Sequence, residues 1–192
     1  MIGYQIVKRL LDFSLAIILG CLFALPFLLV AFAIRVTSHG PILYWSDRVG
    51  RNNQIFQMPK FRSMKINTPA VATHLLDNPQ LFLTPIGSFL RKSSLDELPQ
   101  IWSVLIGDMS FVGPRPALYN QTDLIDLRTK NSVHLLLPGI TGWAQVNGRD
   151  DLVIPEKVNL DIEYLKNQSL YFDVFILYLT FLRAFSARGI AH

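Results

Sequence analysis

The most prominent pattern in the chain is a long apolar run near its N-terminus. Residues 13–34, FSLAIILGCLFALPFLLVAFAI, contain no charged side chain. As a helix, a run of that length extends about 33 Å at 1.5 Å per residue, enough to cross a bilayer core of roughly 30 Å. The pattern predicts a membrane helix. The length of the run, and the lack of a small-residue cleavage site after it, argue against a cleaved signal peptide.

Pro26 lies inside this run and predicts a bend. Proline removes a main-chain hydrogen bond, so legs 13–25 and 27–34 would reach about 20 and 12 Å, roughly the depth of one leaflet. Basic residues flank the run on both sides, with Lys8 before it and Arg35 after it. This distribution favours the cytoplasm for both ends. A re-entrant helix satisfies both observations, but a straight span stays equally open because spanning helices tolerate proline.

Short strands and amphipathic helices are expected beyond the apolar run. Residues 41–64 predict a β-hairpin, because strand-like ILYW and IFQM segments flank a GRNN turn. Four helices are expected where proline, capping residues or apolar periodicity coincide, with Thr84 capping the first of them. They cover residues 84–93, 95–107, 116–130 and 155–167. Residues 170–185 are apolar nearly all round and predict a helix in the headgroup region, with a buried core helix as the alternative.

Composition and charge strengthen the membrane interpretation. Apolar residues make up 51% of the chain and charged residues 17%, against about 25% charged residues in typical domains. The net charge is +4, and residues 35–65 carry six basic side chains against one acid, Asp47. Such a segment favours anionic headgroups or phosphorylated ligands. The single cysteine, Cys21, excludes an internal disulfide, and no Walker loop or metal-ligand spacing of histidines is present.

The expected fold class is therefore α+β and mostly α-helical. It combines an N-terminal kinked re-entrant membrane helix with a small β-hairpin. Several short amphipathic and interfacial helices are expected to pack on the membrane surface. Residues 1–40 would form the membrane-embedded part and residues 41–192 the cytoplasmic, membrane-associated part of one functional unit.

Candidate chemistry centres on SSLDELPQ, residues 93–100, where Asp96 and Glu97 are adjacent. The ordinary structural explanation is a capping box formed by Ser94 and Glu97. Two adjacent carboxylates repel, however, by up to about 4 kcal/mol at 4 Å with an effective dielectric constant of 20. The pair therefore needs cations nearby.

Basic residues on turns near prolines and glycines supply candidates for those cations. They are Lys60, Arg62, Arg91, Arg115 and Arg149. Each one alone is most simply explained as a solvated surface residue. Together on rigid turns they favour a phosphate-rich ligand, because guanidinium binds phosphate through two parallel hydrogen bonds. A Mg²⁺ ion bridging a carboxylate and phosphate oxygens would complete such a site.

Three segments then carry a resemblance to a known family. They are KFRSM at residues 60–64, LRKSSLDELPQIWSVLIGDMSFVGPRP at residues 90–116, and LLPGITGWAQVNGR at residues 136–149. In order and spacing they resemble the bacterial sugar transferases, the monotopic polyprenyl-phosphate phosphoglycosyl transferases. The likeness extends over nearly the whole chain. Without an extra N-terminal membrane bundle, the sequence is similar to the minimal form of the family.

The resemblance implies an enzyme of the bacterial inner membrane that acts on its cytoplasmic face. It would transfer a sugar 1-phosphate from a UDP-sugar to polyprenyl (undecaprenyl) phosphate and release UMP, a first membrane step of glycoconjugate biosynthesis. Asp96 is implied as the nucleophile, with a covalent phosphosugar intermediate and ping-pong kinetics. Glu97 is implied as a residue that holds Mg²⁺. The family's re-entrant helix breaks at a Ser-Pro pair, whereas this chain has Leu25 before Pro26.

Other functions are weighed against this one. A non-catalytic basic membrane adaptor fits the composition, but it gives no reason for the acidic pair beside the arginine turns. Nucleic-acid binding is disfavoured because the charge is modest and the aromatic residues lie in apolar helices. The sugar, the glycan pathway and the oligomeric state, a homodimer included, stay open. Analogy with minimal members suggests an N-acetylated amino sugar, and residues 67–80 and 117–135 are candidates for its pocket.

Overall fold

A computed structural model describes residues 2–69, 78–148 and 152–186 of the chain, and these residues confirm a mostly helical α+β fold. The α-helices are α1 Ile2–Leu22, α2 Ala24–Thr37, α3 Gly87–Lys92, α4 Ile101–Ile106, α5 Thr122–Lys130, α6 Trp143–Asn147, α7 Ile154–Lys166 and α8 Leu170–Ser186. Short 3₁₀ segments lie at Arg51–Asn53, Pro79–Phe82, Leu95–Gln100 and Val133–Leu135. The strands are β1 Leu43–Val49, β2 Ile55–Phe61, β3 Ser110–Val112, β4 Ala117–Leu118 and β5 Gly139–Thr141.

The N-terminal apolar run lies in two helices, with a bend of 60° between them. The predicted bend is confirmed, but the chain breaks at Phe23, so the legs are α1 and α2 rather than 13–25 and 27–34. Pro26 explains this position because it has no N–H to donate to the Leu22 carbonyl, four residues earlier. Among the described residues no single helix is long and apolar enough to cross a membrane, whereas this bent pair passes that test when both helices are taken together.

The predicted hairpin is confirmed by strands β1 and β2, which pair antiparallel from Leu43 opposite Phe61 to Val49 opposite Ile55. Strand β4 pairs antiparallel with the other side of β1, so β2 is an edge strand of this sheet. An edge strand tolerates Pro59, whose missing N–H would weaken a central strand. The register places Lys60, next in the chain, opposite Tyr44.

Two of the predicted helix starts are wrong. The helix expected from residue 84 begins at Gly87, because Thr84 instead donates its N–H and its hydroxyl to the Ser63 carbonyl. The helix expected from residue 116 begins at Thr122, because β4 pairs with β1 first. In both places a contact with a residue distant in sequence overrides the local helix signal. Helix α7 agrees with the expected range of 155–167 to within one residue at each end.

The two N-terminal helices pack into the core of the rest of the chain. Ala16 of α1 is fully buried in the largest apolar cluster, together with Val104, Met109 and Ile176. A second cluster is formed by Val30 and Ile34 of α2 with Phe61 and Leu90, and a third by Ala117, Leu124 and Val158. The expected division of the chain at residue 40 stays a prediction.

Helix α8 has one buried face and one exposed apolar face. Ile176 is fully buried, whereas Tyr171 is 82% exposed and Tyr178 is 57% exposed. The alternative of a wholly buried core helix is therefore wrong for α8. Its exposed apolar face is compatible with the expected position in the headgroup region, which stays a prediction.

Candidate active site

The acidic pair lies on the 3₁₀ segment Leu95–Gln100, directly before α4. Ser94 precedes the segment in a left-handed conformation, with φ of 55°, and its side chain caps no amide. The Glu97 amide instead bonds the main-chain carbonyl of Ser94 at 3.2 Å. The predicted capping box is therefore wrong, and the Glu97 carboxylate is available for other partners.

Glu97 accepts hydrogen bonds from two cations that reach it from different parts of the chain. Lys60 Nζ on β2 lies 2.7 Å from Glu97 Oε1, and Arg115 Nη2 lies 3.2 Å from the same oxygen. Only 16–17% of the Lys60 and Glu97 side chains is exposed. Burial alone raises the pKa of Glu97, but the charges of Lys60 and Arg115 outweigh it and hold that pKa well below its usual range.

Asp96 differs sharply from its neighbour. It is half-buried, and within the described part of the chain its carboxylate makes no salt bridge and no hydrogen bond to another side chain. Burial raises the pKa of Asp96, the charge of Glu97 acts in the same direction, and the charges of Lys60 and Arg91 oppose them. Among the described cations near it, none forms an ion pair with the Asp96 carboxylate.

A close main-chain crossing forms the base of the loop that carries Arg115. Strand β3, which leads into this loop, pairs parallel with β5. A side chain on Gly113, Gly139 or Gly142 would place its Cβ within 2.3 Å of a main-chain atom, so only glycine fits. This requirement accounts for the glycines of the GPRP and PGITG segments. Sequence analysis missed the parallel pair because its strands are three residues long and distant in sequence.

Arg62 has partners other than phosphate. Its Nη1 donates to the His39 carbonyl at 2.5 Å and its Nη2 to the Ser38 carbonyl at 3.0 Å, and the residue is only 5% exposed. These bonds attach the end of α2 to the segment that follows β2. The prediction that Arg62 binds phosphate therefore finds no support in its contacts. Arg149 lies outside the described residues.

Comparison with known proteins decides the family. A family model described as "Bacterial sugar transferase" matches residues 3–187. The chain belongs to the bacterial sugar transferase family. This is a family of enzymes, so the alternative of a non-catalytic adaptor is not supported.

Individual relatives are similar to this sugar transferase over almost its whole length. It is 38% identical over 188 residues to the "Uncharacterized sugar transferase EpsL" of Bacillus subtilis, covering 97% of this chain and 91% of that protein. It is 37% identical over 190 residues to the UDP-glucose:undecaprenyl-phosphate glucose-1-phosphate transferase of Escherichia coli. The match covers 94% of this chain and 40% of that protein. It is also 37% identical over 195 residues to the UDP-N-acetylgalactosamine-undecaprenyl-phosphate N-acetylgalactosaminephosphotransferase of Aeromonas hydrophila. The match covers 96% of this chain and 46% of that protein. The chain thus spans less than half the length of these last two relatives.

The donor atoms of the sugar transferase are suited to a divalent ion held jointly with a ligand. No group of three or more His, Cys, Asp or Glu side chains that could hold a metal occurs among the described residues. Both cations contact Glu97 Oε1, which leaves Glu97 Oε2 and the Asp96 carboxylate as candidate oxygen donors. Mg²⁺ is commonly held by one or two carboxylates, substrate phosphates and water. The site therefore fits Mg²⁺ in the presence of a phosphorylated ligand.

Sequence analysis missed a second ion pair near the site of the sugar transferase. Arg128 of α5 and Asp161 of α7 form a buried salt bridge of 2.7 Å. A signal for it exists in the sequence, because each charged residue lies three or four positions from an apolar core residue. Arg128 follows Leu124, and Asp161 follows Val158, on the same helix face. A charged residue on an apolar helix face indicates a buried partner.

Proposed function

We propose that this sugar transferase moves a sugar 1-phosphate from a UDP-sugar to undecaprenyl phosphate and releases UMP. The names of the relatives from Escherichia coli and Aeromonas hydrophila support an undecaprenyl phosphate acceptor and a UDP-sugar donor. The observation that carries the mechanism is the contrast within the acidic pair. Glu97 is paired with two cations, while Asp96 beside it forms no ion pair with any residue that the structure describes.

Asp96 acts as the nucleophile in the first half of the reaction. Its carboxylate oxygen forms a bond to the donor phosphorus that bears the sugar, and the bond from that phosphorus to the UMP oxygen breaks. UMP leaves with the electron pair of the broken bond. Burial raises the pKa of Asp96, which makes its carboxylate more basic than a fully solvated one.

The acceptor completes the cycle in the second half. A phosphate oxygen of undecaprenyl phosphate attacks the same phosphorus, the acyl-phosphate bond to Asp96 breaks, and the free carboxylate returns. One phosphoanhydride bond is exchanged for another, so no further energy source is required. The two substrates use one site in turn, which gives ping-pong kinetics and lets a water-soluble donor and a lipid acceptor react at the same residue.

The surrounding residues position these groups and balance their charge. Lys60 and Arg115 hold Glu97 in place, and Arg91 is close enough to act electrostatically on Asp96. Glu97 is the residue that would hold Mg²⁺. When bound, the ion supplies charge stabilisation to the phosphate oxygens. Phosphoryl transfer depends chiefly on such alignment and charge stabilisation.

The bent pair α1–α2 acts in this proposal as a re-entrant anchor in the bacterial inner membrane. Both of its ends would lie on the cytoplasmic face, as the basic residues on either side of the apolar run favour. The apolar face of α8 would rest in the headgroup region. Asp96 would then lie at the height of the acceptor phosphate.

Intact-mass spectrometry with donor alone tests the covalent step. UDP-glucose, UDP-galactose, UDP-N-acetylglucosamine and UDP-N-acetylgalactosamine are supplied in turn without acceptor. The correct donor should add one sugar phosphate to the protein and release at most one UMP per enzyme. Asp96→Asn should show neither change, whereas Glu156→Gln, at an exposed acid on α7, should behave as wild type. Full turnover by Asp96→Asn would reject the nucleophile assignment.

Titration with Mg²⁺ tests the role of Glu97. Chelation should stop UMP release by the wild-type enzyme. Glu97→Gln should be strongly impaired and partly rescued by raised Mg²⁺, because one carboxylate oxygen donor is lost. An unchanged Mg²⁺ dependence in Glu97→Gln would count against Glu97 as a ligand.

A further inference from the structure

The tripeptide that carries Arg115 has all three of its main-chain carbonyls hydrogen-bonded. The carbonyl of the first proline, Pro114, accepts the Gly139 amide at 2.9 Å. The carbonyl of Arg115 itself accepts Nη1 of Arg128 at 2.8 Å, and that of the second proline accepts Nη1 of Arg48 at 3.3 Å. The prolines restrict the backbone further by fixing φ. The main chain of this tripeptide is therefore held from three directions.

Arg128 makes the contact that bears directly on Arg115. Its Nε and Nη2 donate to Asp161 Oδ2 at 2.9 and 2.7 Å, which leaves Nη1 to donate to the Arg115 carbonyl. Arg128 is 8% exposed and Asp161 is 1% exposed. A guanidinium group suits this arrangement because its planar donors point in fixed directions.

Stability alone does not explain why the Arg128–Asp161 ion pair is buried. A buried ion pair is weak evidence for stabilisation, because apolar residues of similar volume often do as well. Arg128, by contrast, joins α5, α7 and the Arg115 loop through one side chain, which apolar residues cannot reproduce. The Arg115 side chain in turn reaches Glu97 at 3.2 Å. A chain of contacts thus runs from the buried Asp161 to the acidic pair.

We propose that Arg128 is a positioning residue, which is fixed by Asp161 and holds the main chain of Arg115 so that its guanidinium meets Glu97. The inference rests on the proposed function, since it assigns Arg128 to that reaction. Arg128 itself does not touch the reacting atoms. A displacement of about 1 Å in a catalytic group costs on the order of 100-fold in rate, so loss of this support should be visible in turnover.

A kinetic double-mutant cycle tests whether Arg128 acts through Arg115. Arg128→Lys retains a charge for Asp161 but has one nitrogen where three are used. It should lower kcat/KM about 10-fold while the melting temperature changes little. Arg115→Ala should lower it more, and adding Arg128→Lys to that variant should cost less than a further 2-fold. Lys166→Ala, at an exposed basic residue on α7, the helix that carries Asp161, should match wild type. Single effects that multiply in the double variant would overturn the proposal.

A second measurement does not depend on turnover. The ¹⁵N heteronuclear NOE of the Arg115 Nε–Hε group reports how well this side chain is ordered, and Arg115→Lys assigns the signal. In detergent micelles the NOE should fall by about half in Arg128→Lys and stay unchanged in Lys166→Ala. An unchanged value in Arg128→Lys would overturn the proposal. A lowered value in a protein that releases no UMP with any donor would support the positioning role and reject the proposed function alone.

Discussion

Phe27 of α2 packs against Phe61 of β2, with ring centroids 4.6 Å apart. Phe61 directly follows Lys60, the lysine that forms a salt bridge with Glu97 of the acidic pair. Leu95 and Leu98, on either side of the acidic pair, pack against the same apolar cluster, the one that contains Phe61. Helix α2 and the candidate active site therefore share one core. A change in the angle of α2 would move the cation and the acidic segment together.

Truncation of Phe27 should weaken both stability and activity. Phe27→Ala removes a half-buried ring, and we expect the free energy of unfolding to fall by about 2 kcal/mol, below the 3–5 kcal/mol typical of fully buried rings. Phe32→Ala on the same helix is the matched control, because Phe32 is 68% exposed. Thermal unfolding in detergent and UMP release measure the two effects. Equal melting temperatures for both variants would contradict the shared core.

The two adjacent carboxylates should affect stability with opposite signs. Burial raises the pKa of Asp96, so its ionised form costs free energy in the folded protein at pH 7. Asp96→Asn should therefore raise the melting temperature by about 2 °C at pH 7 although it abolishes turnover. The gain should shrink toward pH 3.8, the ordinary Asp value, because the carboxyl is then increasingly protonated without the substitution. A loss of stability at pH 7 would contradict this account of Asp96.

Glu97→Gln should show the reverse. The pKa of Glu97 lies below its usual range, so its ionised form stabilises the fold above pH 4.5, the ordinary Glu value, and this contribution fades as the pH falls below it. Removal of the charge leaves the buried Lys60 without its acidic partner. We expect the melting temperature to fall by roughly 4–8 °C at pH 7, with a smaller difference from wild type at pH 3. Melting curves of both proteins from pH 3 to pH 7 measure this difference. A difference in melting temperature that does not change with pH would reject this explanation.

Arg62 should behave as a structural residue. Arg62→Ala removes two hydrogen bonds to the carbonyls of Ser38 and His39, and leaves these acceptors without their partner. We expect a loss of about 2–3 kcal/mol in the free energy of unfolding. The KM for the UDP-sugar should stay within about 2-fold of wild type in the fraction that is folded. A large rise in KM at unchanged stability would restore the prediction that Arg62 binds phosphate.

Pro26 should determine the topology of the N-terminal pair. Pro26→Ala restores an N–H that can bond the Leu22 carbonyl, which favours one continuous helix. Labelling of single cysteines at residues 5 and 38, in a Cys21→Ser background, reports the side of the membrane. Both should be cytoplasmic in the parent protein. Pro26→Ala should move a fraction of residue 38 to the opposite side and lower activity in proportion. Opposite sides in the parent would establish a straight span instead.

The sequence predictions were correct where a feature depends on residues that are close in the sequence, and wrong where it depends on contacts between distant residues. The hairpin could be predicted because its turn and both strands are contiguous, and α7 because Pro155 and its apolar pattern lie within the helix. The starts at Thr84 and residue 116 were wrong because each segment pairs with a residue distant in sequence. The capping box failed for the same reason, since the side chain of Glu97 binds distant cations.

The sequence by itself determined the bend at the apolar run, most element types and the adjacency of Asp96 and Glu97, because each depends on neighbouring residues. Only the tertiary structure decided which cations contact the acidic pair. Lys60 reaches Glu97 from 37 residues away and Arg115 from 18, whereas Arg62, two residues from Lys60, attaches to the end of α2. Residues two apart on a regular strand share a face, but Arg62 follows the last residue of β2, Phe61, and long-range packing selects a different partner for each of the two cations. No local pattern encodes that selection, because its free energy arises from the packing of segments that are distant in sequence.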